Sequence, residues 1–232
     1  MTLNSTTVNL VVAAHPDDEI LGFGGTGAKF VARGEFVQPV LLCGQVDIRT
    51  QRPSDAELND DIAKANAVVG FAQPVLGDFP NIRLNTVPHV DLVQFIEKQI
   101  HAFAPDRIFT HHPGDLNDDH VHVARACFAA ARLFQRREGM KPLRSLHCME
   151  IPSSTDWSFP KIGPVFEANE YVGIDATLDL KLEALACYRN VMRPFPHPRS
   201  EEVIRGLAAT RGAEYGLGNA EAFHTVFSSR MD

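Results

Sequence analysis

Residues 8–14 form a short, valine-rich apolar run that is followed at once by His-Pro-Asp-Asp-Glu at positions 15–19. A run of this length and composition is typical of a buried β-strand. A strand that ends in ionisable groups brings them to the rim of a sheet, where open α/β folds bind their ligands. Three carboxylates this close together repel one another unless a cation or hydrogen bonds compensate. The pattern therefore predicts a buried strand that leads into a ligand site.

Strand-like runs alternate with helical patterns along the rest of the chain. Further strands are predicted at 36–43, 74–76, 107–110, 143–151, 171–174 and 222–228, and helices at 22–34, 54–70, 90–103, 121–134, 181–191 and 201–215. This alternation predicts an α/β fold, a Rossmann-like and mostly parallel sheet with helices on both faces. The 232 residues are enough for one such domain, so we expect a single domain over residues 1–232 with a small C-terminal cap.

Composition narrows the classes of function. The formal charge of -7 argues against nucleic acid as a partner, because nucleic-acid binding usually needs a basic face. No apolar stretch reaches the length of a membrane-spanning helix, and the first residues lack the pattern of a signal peptide. The four cysteines are widely spaced and are predicted to be reduced. We therefore expect a cytoplasmic protein without membrane insertion, and self-association into a homo-oligomer stays open.

The first polar cluster offers metal ligands. His15 and Asp18 follow the predicted strand, and an imidazole nitrogen and a carboxylate oxygen are ordinary ligands of a catalytic zinc ion. A competing interpretation is that Asp17 or Asp18 caps the helix that follows. The strand before the cluster and the glycines after it favour a ligand site.

A second polar cluster, residues 110–122, follows another predicted strand and contains four histidines. Successive strand residues face opposite sides, so one of His111 and His112 is predicted to be structural. His120 and His122 are two positions apart on a predicted helix, so at most one of them joins a shared site. Our hypothesis is that the two clusters meet around one divalent metal ion.

Residues 22–27, Gly-Phe-Gly-Gly-Thr-Gly, match the G-x-G-x-x-G pattern of dinucleotide-binding proteins. In that motif the first glycine turns the chain immediately after the first strand. Here residues 15–21 intervene, so the glycines come too late to form the turn. We expect them to pack a helix start against the ligand loop, and a dinucleotide-binding oxidoreductase is the alternative from another class.

Both polar clusters resemble the signatures of the PIG-L/LmbE superfamily of zinc-dependent deacetylases. Ala-His-Pro-Asp-Asp-Glu at 14–19 is similar to the first signature, and Asn-Asp-Asp-His at 117–120 falls on the second, usually His-Pro-Asp-His. Supporting stretches lie at 77–84, 196–200, 211–212 and 220–223. The resemblance implies hydrolysis of an N-acyl amide, most often the N-acetyl group of a glucosamine-type sugar. It implies Zn²⁺ as the cofactor, or another divalent ion such as Fe²⁺.

The resemblance also implies roles for single residues. His15, Asp18 and His120 would be the metal ligands, and Asp17 would be the general base. Asp119 matches the acid of the second signature.

Asn117 stands where the family has a histidine that stabilises the oxyanion. Asn117 could donate an amide N–H itself, or His111, His122 or His224 could take that place. The identity of the oxyanion donor is therefore open at the level of sequence.

Substrate contacts are less well defined by the sequence. The candidates are Arg49, Arg83 and Arg199 for an anionic group, Asn81 and Asp115 for sugar hydroxyls, and His224. An ordinary ion pair or a turn is the competing interpretation for each. The expected partner is a small-molecule amino sugar. The alternatives are a metal-dependent amidase that acts on a non-sugar amide and a binding protein that has lost catalysis.

Overall fold

A computed structural model describes residues 6–44, 53–160 and 163–230. Within these ranges the chain forms one sheet of seven strands in the order β3-β2-β1-β4-β5-β7-β6. The strands are β1 (Val8–Ala13), β2 (Phe36–Leu41), β3 (Val75–Leu76), β4 (Arg107–Thr110), β5 (Ser145–Met149), β6 (Glu170–Gly173) and β7 (Ala220–Ser228). The helices are α1 (Asp18–Ala32), α2 (Asp55–Val68), α3 (His89–Phe103), α4 (Asp118–Ala130), α5 (Leu133–Arg136), α6 (Leu178–Cys187) and α7 (Glu201–Ala213).

The pairing of the strands confirms the predicted mostly parallel α/β sheet. Strands β3, β2, β1, β4 and β5 pair in parallel, whereas β7 pairs antiparallel with both β5 and β6. The last third of the chain therefore contributes more than the expected small cap. Its strands β6 and β7 complete one edge of the sheet, and α7 packs against β7.

Alternation along β1 explains why helices cover both faces of the sheet. Val11 and Ala13 pack in one apolar cluster with residues of α1 and α6. Leu10 and Val12 pack in the other cluster with residues of α3 and α4. Neighbouring side chains of a strand point to opposite faces, so a continuous apolar run suits a strand that is buried on both sides. No helix in the described ranges is long and apolar enough to cross a lipid bilayer.

Helix α1 begins at Asp18, four positions before the predicted start at Gly22. The backbone N–H of Leu21 already donates to the carbonyl oxygen of Asp17 at 2.9 Å. Acidic residues in the first turn favour this early start, because they interact well with the positive end of the helix dipole. The glycines of the G-x-G-x-x-G pattern thus lie inside a helix and form no phosphate-binding turn.

Close packing explains the glycines of α1. We expected them to pack against the ligand loop, but the side chains next to them come from other parts of the fold. A Cβ atom at Gly22 would lie 2.6 Å from Cδ1 of Ile151, and one at Gly27 would lie 2.3 Å from Cζ of Phe71. The glycines therefore let α1 approach the side chains that follow β5 and α2. The sequence feature that suggested an oxidoreductase has a packing role.

We expect Gly27→Ala to destabilise the fold by about 1–3 kcal/mol, because the new methyl group would overlap the Phe71 ring. Gly206→Ala is the matched control, since Gly206 is also helical and nothing lies within 4 Å of its missing Cβ. Alanine there should stabilise the protein by about 0.5–1 kcal/mol. Urea unfolding measures both changes, and equal effects at the two sites would contradict the packing explanation.

Candidate metal centre

The two polar clusters meet because β1 and β4 are neighbouring parallel strands. Their carboxyl ends lie at the same edge of the sheet. His15 follows β1 and Asp18 begins α1, whereas His120 lies in the first turn of α4, after β4. The fold therefore brings together residues that are more than a hundred positions apart.

Three ligand atoms form a nearly equilateral triangle. Oδ2 of Asp18 lies 3.2 Å from Nδ1 of His15 and 3.2 Å from Nε2 of His120, and the two nitrogens are 3.3 Å apart. Ligand atoms about 2.0–2.1 Å from a tetrahedral zinc ion lie about 3.3 Å from one another. All three side chains are buried. The triangle thus has the size of one face of a tetrahedral metal site.

Each histidine of the triangle is oriented by a second carboxylate. Nε2 of His15 lies 2.9 Å from Oδ2 of Asp119, and Nδ1 of His120 lies 3.2 Å from Oδ2 of Asp115. Metal-binding histidines commonly place their other ring nitrogen against a carboxylate, which fixes the ring. The same carboxylate of Asp119 accepts the backbone N–H groups of Ile82 and Leu84 at 2.6 and 3.0 Å.

Two further groups of residues are close enough to hold an ion. They are His111, Asp115 and His120, and His15, Cys43 and Asp119. Each shares one histidine with the triangle, but Asp119 and Asp115 lie against the ring nitrogens that the triangle does not use. The triangle is the best candidate because all three of its members line the cavity described below.

The electrostatics of the centre favour a cation. Burial lowers the pKa of His120, but the carboxylates of Asp18 and Asp115 outweigh burial and raise it to about 10. Burial raises the pKa of Asp115, yet the positive charge of His120 brings it down to about 2. A divalent ion would take the place of the proton that these acids stabilise, since metal ligands must be deprotonated.

Asp17 lies beside the triangle in a strained conformation. Its φ angle is 109°, a region that non-glycine residues seldom occupy and that is concentrated at functional sites. Its backbone N–H donates to Oε2 of Glu19 at 3.0 Å, and its Oδ2 accepts a hydrogen bond from Nη1 of Arg199 at 3.1 Å. These contacts hold the carboxylate at the wall of the cavity.

Glu19 supports Asp17 from within the core, a role that the sequence did not reveal. Its carboxylate accepts hydrogen bonds from the hydroxyl of Tyr188 and from Nδ2 of Asn66. Burial raises the pKa of Glu19 to about 7, even though these hydrogen bonds oppose the shift. Both partners lie far along the chain, so only the fold brings them together.

A cavity of about 260 Å³ opens over the triangle. Besides the triangle and Asp17, its walls include Asn81, Asn117, Arg193 and Arg199. The side chain of Asn81 is buried, and neither its amide nitrogen nor its amide oxygen has a hydrogen-bond partner. Asn117 caps α4, and its Oδ1 accepts the backbone N–H of Asp119 at 3.0 Å.

The other residues considered for the oxyanion do not line this cavity. Nε2 of His111 accepts the backbone N–H of Ala14 at 2.8 Å, and burial lowers the pKa of this ring to about 3. His122 pairs with Asp118 on the surface of α4. Nδ1 of His224 lies 2.8 Å from the backbone oxygen of Glu167.

The predicted substrate contacts lie in different places relative to the cavity. Asn81 and Arg199 line the cavity, whereas Arg83 does not. Asp115 contacts His120 and the hydroxyl groups of Ser154 and Thr155, so it supports the triangle and does not face the cavity. Arg49 lies outside the described residues. The structure adds Arg193, which the sequence interpretation had passed over beside a proline-rich helix break.

The fold and the site define a class, an α/β protein with a candidate metal centre at the carboxyl ends of its central strands. Residues 10–131 match the PIG-L family, described as GlcNAc-PI de-N-acetylase. The chain belongs to this family, as its motifs predicted. The matched region contains most of β1 and all of α1, β4 and α4, and with them every residue of the triangle.

Solved structures share the fold over nearly the whole chain. A conserved protein of Thermus thermophilus, TT1542, has a TM-score of 0.79 at 23% identity, with 97% of this chain and 96% of that chain covered. The N,N'-diacetylchitobiose deacetylase of Pyrococcus horikoshii has a TM-score of 0.76 at 18% identity, covering 96% and 84%. GalB, the 4-carboxy-2-hydroxymuconate hydratase of Pseudomonas putida KT2440, has a TM-score of 0.73 at 18% identity, covering 98% and 99%. The fold therefore occurs in proteins of different activity, and function must be argued from the site.

Proposed function

We propose that the protein is a metal-dependent deacetylase that removes the N-acetyl group of a glucosamine-type amino sugar or its conjugate. The observation that carries the proposal is the triangle of His15, Asp18 and His120, whose edges match a tetrahedral metal site. Membership of the PIG-L family supports it. The similarity in fold to the P. horikoshii deacetylase is consistent with it.

In this proposal His15, Asp18 and His120 hold Zn²⁺ or another divalent ion such as Fe²⁺. The donor set of two nitrogens and one carboxylate oxygen is that of catalytic zinc sites, which leave a position open. When bound, such an ion polarises the acyl carbonyl group and lowers the pKa of water toward about 7. Asp119 and Asp115 keep the two imidazole rings oriented.

Asp17 is the proposed general base. It accepts a proton from the water that attacks the acyl carbon, and it returns a proton to the amine nitrogen as the C–N bond breaks. The products are acetate and the free amine. Arg199 donates to one oxygen of Asp17 and so limits the rotation of the carboxylate.

Asn117 is the proposed oxyanion donor in place of the family's histidine. Its Oδ1 is engaged by the N–H of Asp119, which fixes the amide plane. The residue also lines the cavity, and its Nδ2 group is the donor that we assign to the oxyanion. An amide donor is suited to this role, and loss of such a donor typically costs about 10²- to 10³-fold in kcat.

Asn81 is the proposed contact for sugar hydroxyls. Buried polar groups are nearly always hydrogen-bonded in folded proteins, to protein or to water, so an amide without a protein partner at a cavity wall can exchange water for a ligand. A sugar hydroxyl can donate to its oxygen and accept from its nitrogen. The side chain is therefore suited to a polyhydroxyl substrate.

The test is to measure bound metal and acetate release together. Protein purified without chelator should contain a divalent metal, and it should release acetate from N-acetylglucosamine compounds until a chelator removes the ion. Release from N-acetyl amino acids but not from sugars would assign a non-sugar amide instead. Protein that binds neither zinc nor iron and releases no acetate after metal addition would refute the proposal.

A further inference from the structure

A second open cavity lies near the amino ends of the central strands, away from the metal triangle. Its volume is about 600 Å³, and among the described residues it shares no lining residue with the cavity over the triangle. Arg107 and Ser145 line it from the first positions of β4 and β5. The proposed deacetylase chemistry uses none of its side chains.

A serine, a histidine and a glutamate form a chain of close polar contacts in the wall of this second cavity. Oγ of Ser145 lies 2.7 Å from Nε2 of His147, and Nδ1 of His147 lies 2.7 Å from Oε2 of Glu170. All three residues line the cavity. A nucleophile within hydrogen-bond reach of a base, with a third group that orients the base, is the geometric signature of covalent catalysis. The order of the atoms is that of a serine hydrolase triad.

Strand geometry explains how the chain brings these side chains together. Ser145 and His147 are two positions apart on β5, so their side chains lie on the same face. Thr225 of β7 pairs with His147, and the register of the two strands shifts between Leu146 and His147. Oγ1 of Thr225 donates to Oε2 of Glu170 at 2.6 Å. Such β-bulges re-aim side chains and are over-represented next to active sites.

The imidazole ring of His147 is held in one orientation and one tautomer. Its side chain is 4% exposed and stacks on the ring of Phe109, with the centroids 4.6 Å apart. The hydrogen bond with His147 lowers the pKa of Glu170, so this carboxylate is ionised and can only accept. Nδ1 of the ring therefore carries the proton, and Nε2 accepts from the hydroxyl of Ser145. A general base for serine requires this tautomer.

Arg107 is a fixed donor beside Ser145. The two residues pair in the parallel register of β4 and β5. The guanidinium group of Arg107 binds Glu35 through Nη2 and lies over the ring of Phe30. Its Nε is buried and has no hydrogen-bond partner among the described residues. A preorganised cationic donor of this kind is suited to the negative charge that develops on an attacked carbonyl oxygen.

We propose that this cavity is a second catalytic site, which hydrolyses short-chain carboxylic esters of polar alcohols with Ser145 as the nucleophile. Apart from Phe227, the described lining residues are polar or charged, which favours a polar alcohol over a lipid. Ser145 is 6% exposed, so only a small acyl group reaches its hydroxyl. The volume lies in the usual range of small-molecule sites.

The reaction has two balanced halves. Oγ of Ser145 forms a bond to the acyl carbon while Nε2 of His147 takes the hydroxyl proton, and Arg107 donates to the oxyanion. The C–O bond to the alcohol then breaks, and the alcohol leaves with the proton from His147. Water attacks the acyl-serine in the same way, which releases the carboxylic acid and restores Ser145. Glu170 is a positioning residue that holds the imidazole ring.

Labelling with diethyl p-nitrophenyl phosphate tests the nucleophile without a substrate, because this reagent phosphorylates serines that a neighbouring base activates. The wild-type protein should take up a single diethyl phosphoryl group, and mass spectrometry of its peptides should place that group on Ser145. Ser145→Ala should take up none. Labelling should be equal with and without a chelator, because the site does not use the metal centre.

Ser229→Ala is the matched control. Ser229 is an exposed serine just after β7, and it does not line the cavity, so this variant should be labelled like the wild type. A folded wild-type protein without phosphorylated Ser145 would overturn the proposal and leave the three residues as contacts that join β5, β6 and β7. Equal labelling of Ser145→Ala and the wild type would overturn it as well.

Hydrolysis of p-nitrophenyl acetate in the presence of chelator measures turnover. His147→Gln should lower kcat by about 10²- to 10⁴-fold, the usual contribution of a general base. Glu170→Gln should lower kcat without a change in KM, whereas a merely loosened cavity would raise KM. Hydrolysis of this ester at equal rates by the wild type and Ser145→Ala would contradict the proposal.

Acetate release from N-acetylglucosamine compounds separates this site from the proposed deacetylase. The metal-loaded Ser145→Ala protein should release acetate from these amides at the wild-type rate. Loss of the ester activity alone would leave the deacetylase proposal standing. Phosphorylation of Ser145 in a protein that releases no acetate from amides would refute the deacetylase and support the second site.

Discussion

Asp17→Asn should keep the metal bound and lower kcat by about 10²- to 10⁴-fold, the usual contribution of a general base. The amide cannot accept the proton of the attacking water, but it has nearly the shape of the carboxylate. Asparagine also tolerates positive φ better than most residues, so the 109° angle at this position should survive. Steady-state kinetics and metal analysis on the same preparation measure the two effects.

Asp118→Asn is the matched control for this substitution. Asp118 is a neighbouring acid of the second motif whose side chain is exposed and pairs with His122. Its replacement should change kcat by less than about twofold, since surface pairs contribute little. If Asp17→Asn retained full turnover, Asp17 would not be the base. If Asp17→Asn lost the metal, the carboxylate would belong to the ligand set.

His120→Ala should weaken metal binding by more than about 100-fold. Loss of a group that only orients a ligand already costs about 10- to 100-fold in affinity, and His120 is a proposed ligand itself. The change also leaves Asp18 and Asp115 buried without their positive partner, and breaking a buried pair costs about 3–5 kcal/mol. Competition with a chelator measures the affinity, and thermal unfolding measures the stability.

His122→Ala is the control on the same helix. His122 is partly exposed and does not line the cavity, so its loss should leave metal affinity within about twofold of the wild type. Equal losses of affinity in the two variants would show that the helix and not the ligand had been damaged. Normal metal affinity in folded His120→Ala would exclude His120 from the centre.

Local patterns in the sequence predicted the parts of the site that lie at strand ends. Val8–Ala13 and Arg107–Thr110 are recognisable as buried strands, and parallel strands place their carboxyl ends together. His15 and His120 therefore had to approach each other once β1 and β4 became neighbours. Of the two histidines that follow β4, His111 places its Nε2 3.6 Å from Oδ2 of Asp18.

Long-range contacts account for what the sequence did not show. The local sequence around Asp115 is typical of a turn. Its contact with His120 arises only because the loop after β4 folds back against Ser154. Arg193 precedes a proline-rich break, and nothing local indicates that the segment returns to the cavity. The sequence also did not predict the positions of β6 and β7 in the sheet, because the sequence of a short strand does not specify the neighbour with which it pairs.

The positions of His15 and His120 in the chain link ion binding to folding. The two residues are separated by 105 positions, so the unfolded chain offers no comparable site. A ligand that binds only the native state raises the free energy of unfolding. The increase is about 2.7 kcal/mol when the concentration of free ligand is a hundred times the dissociation constant. An ion at this centre would therefore act as a reversible cross-link between the β1 and β4 ends of the sheet.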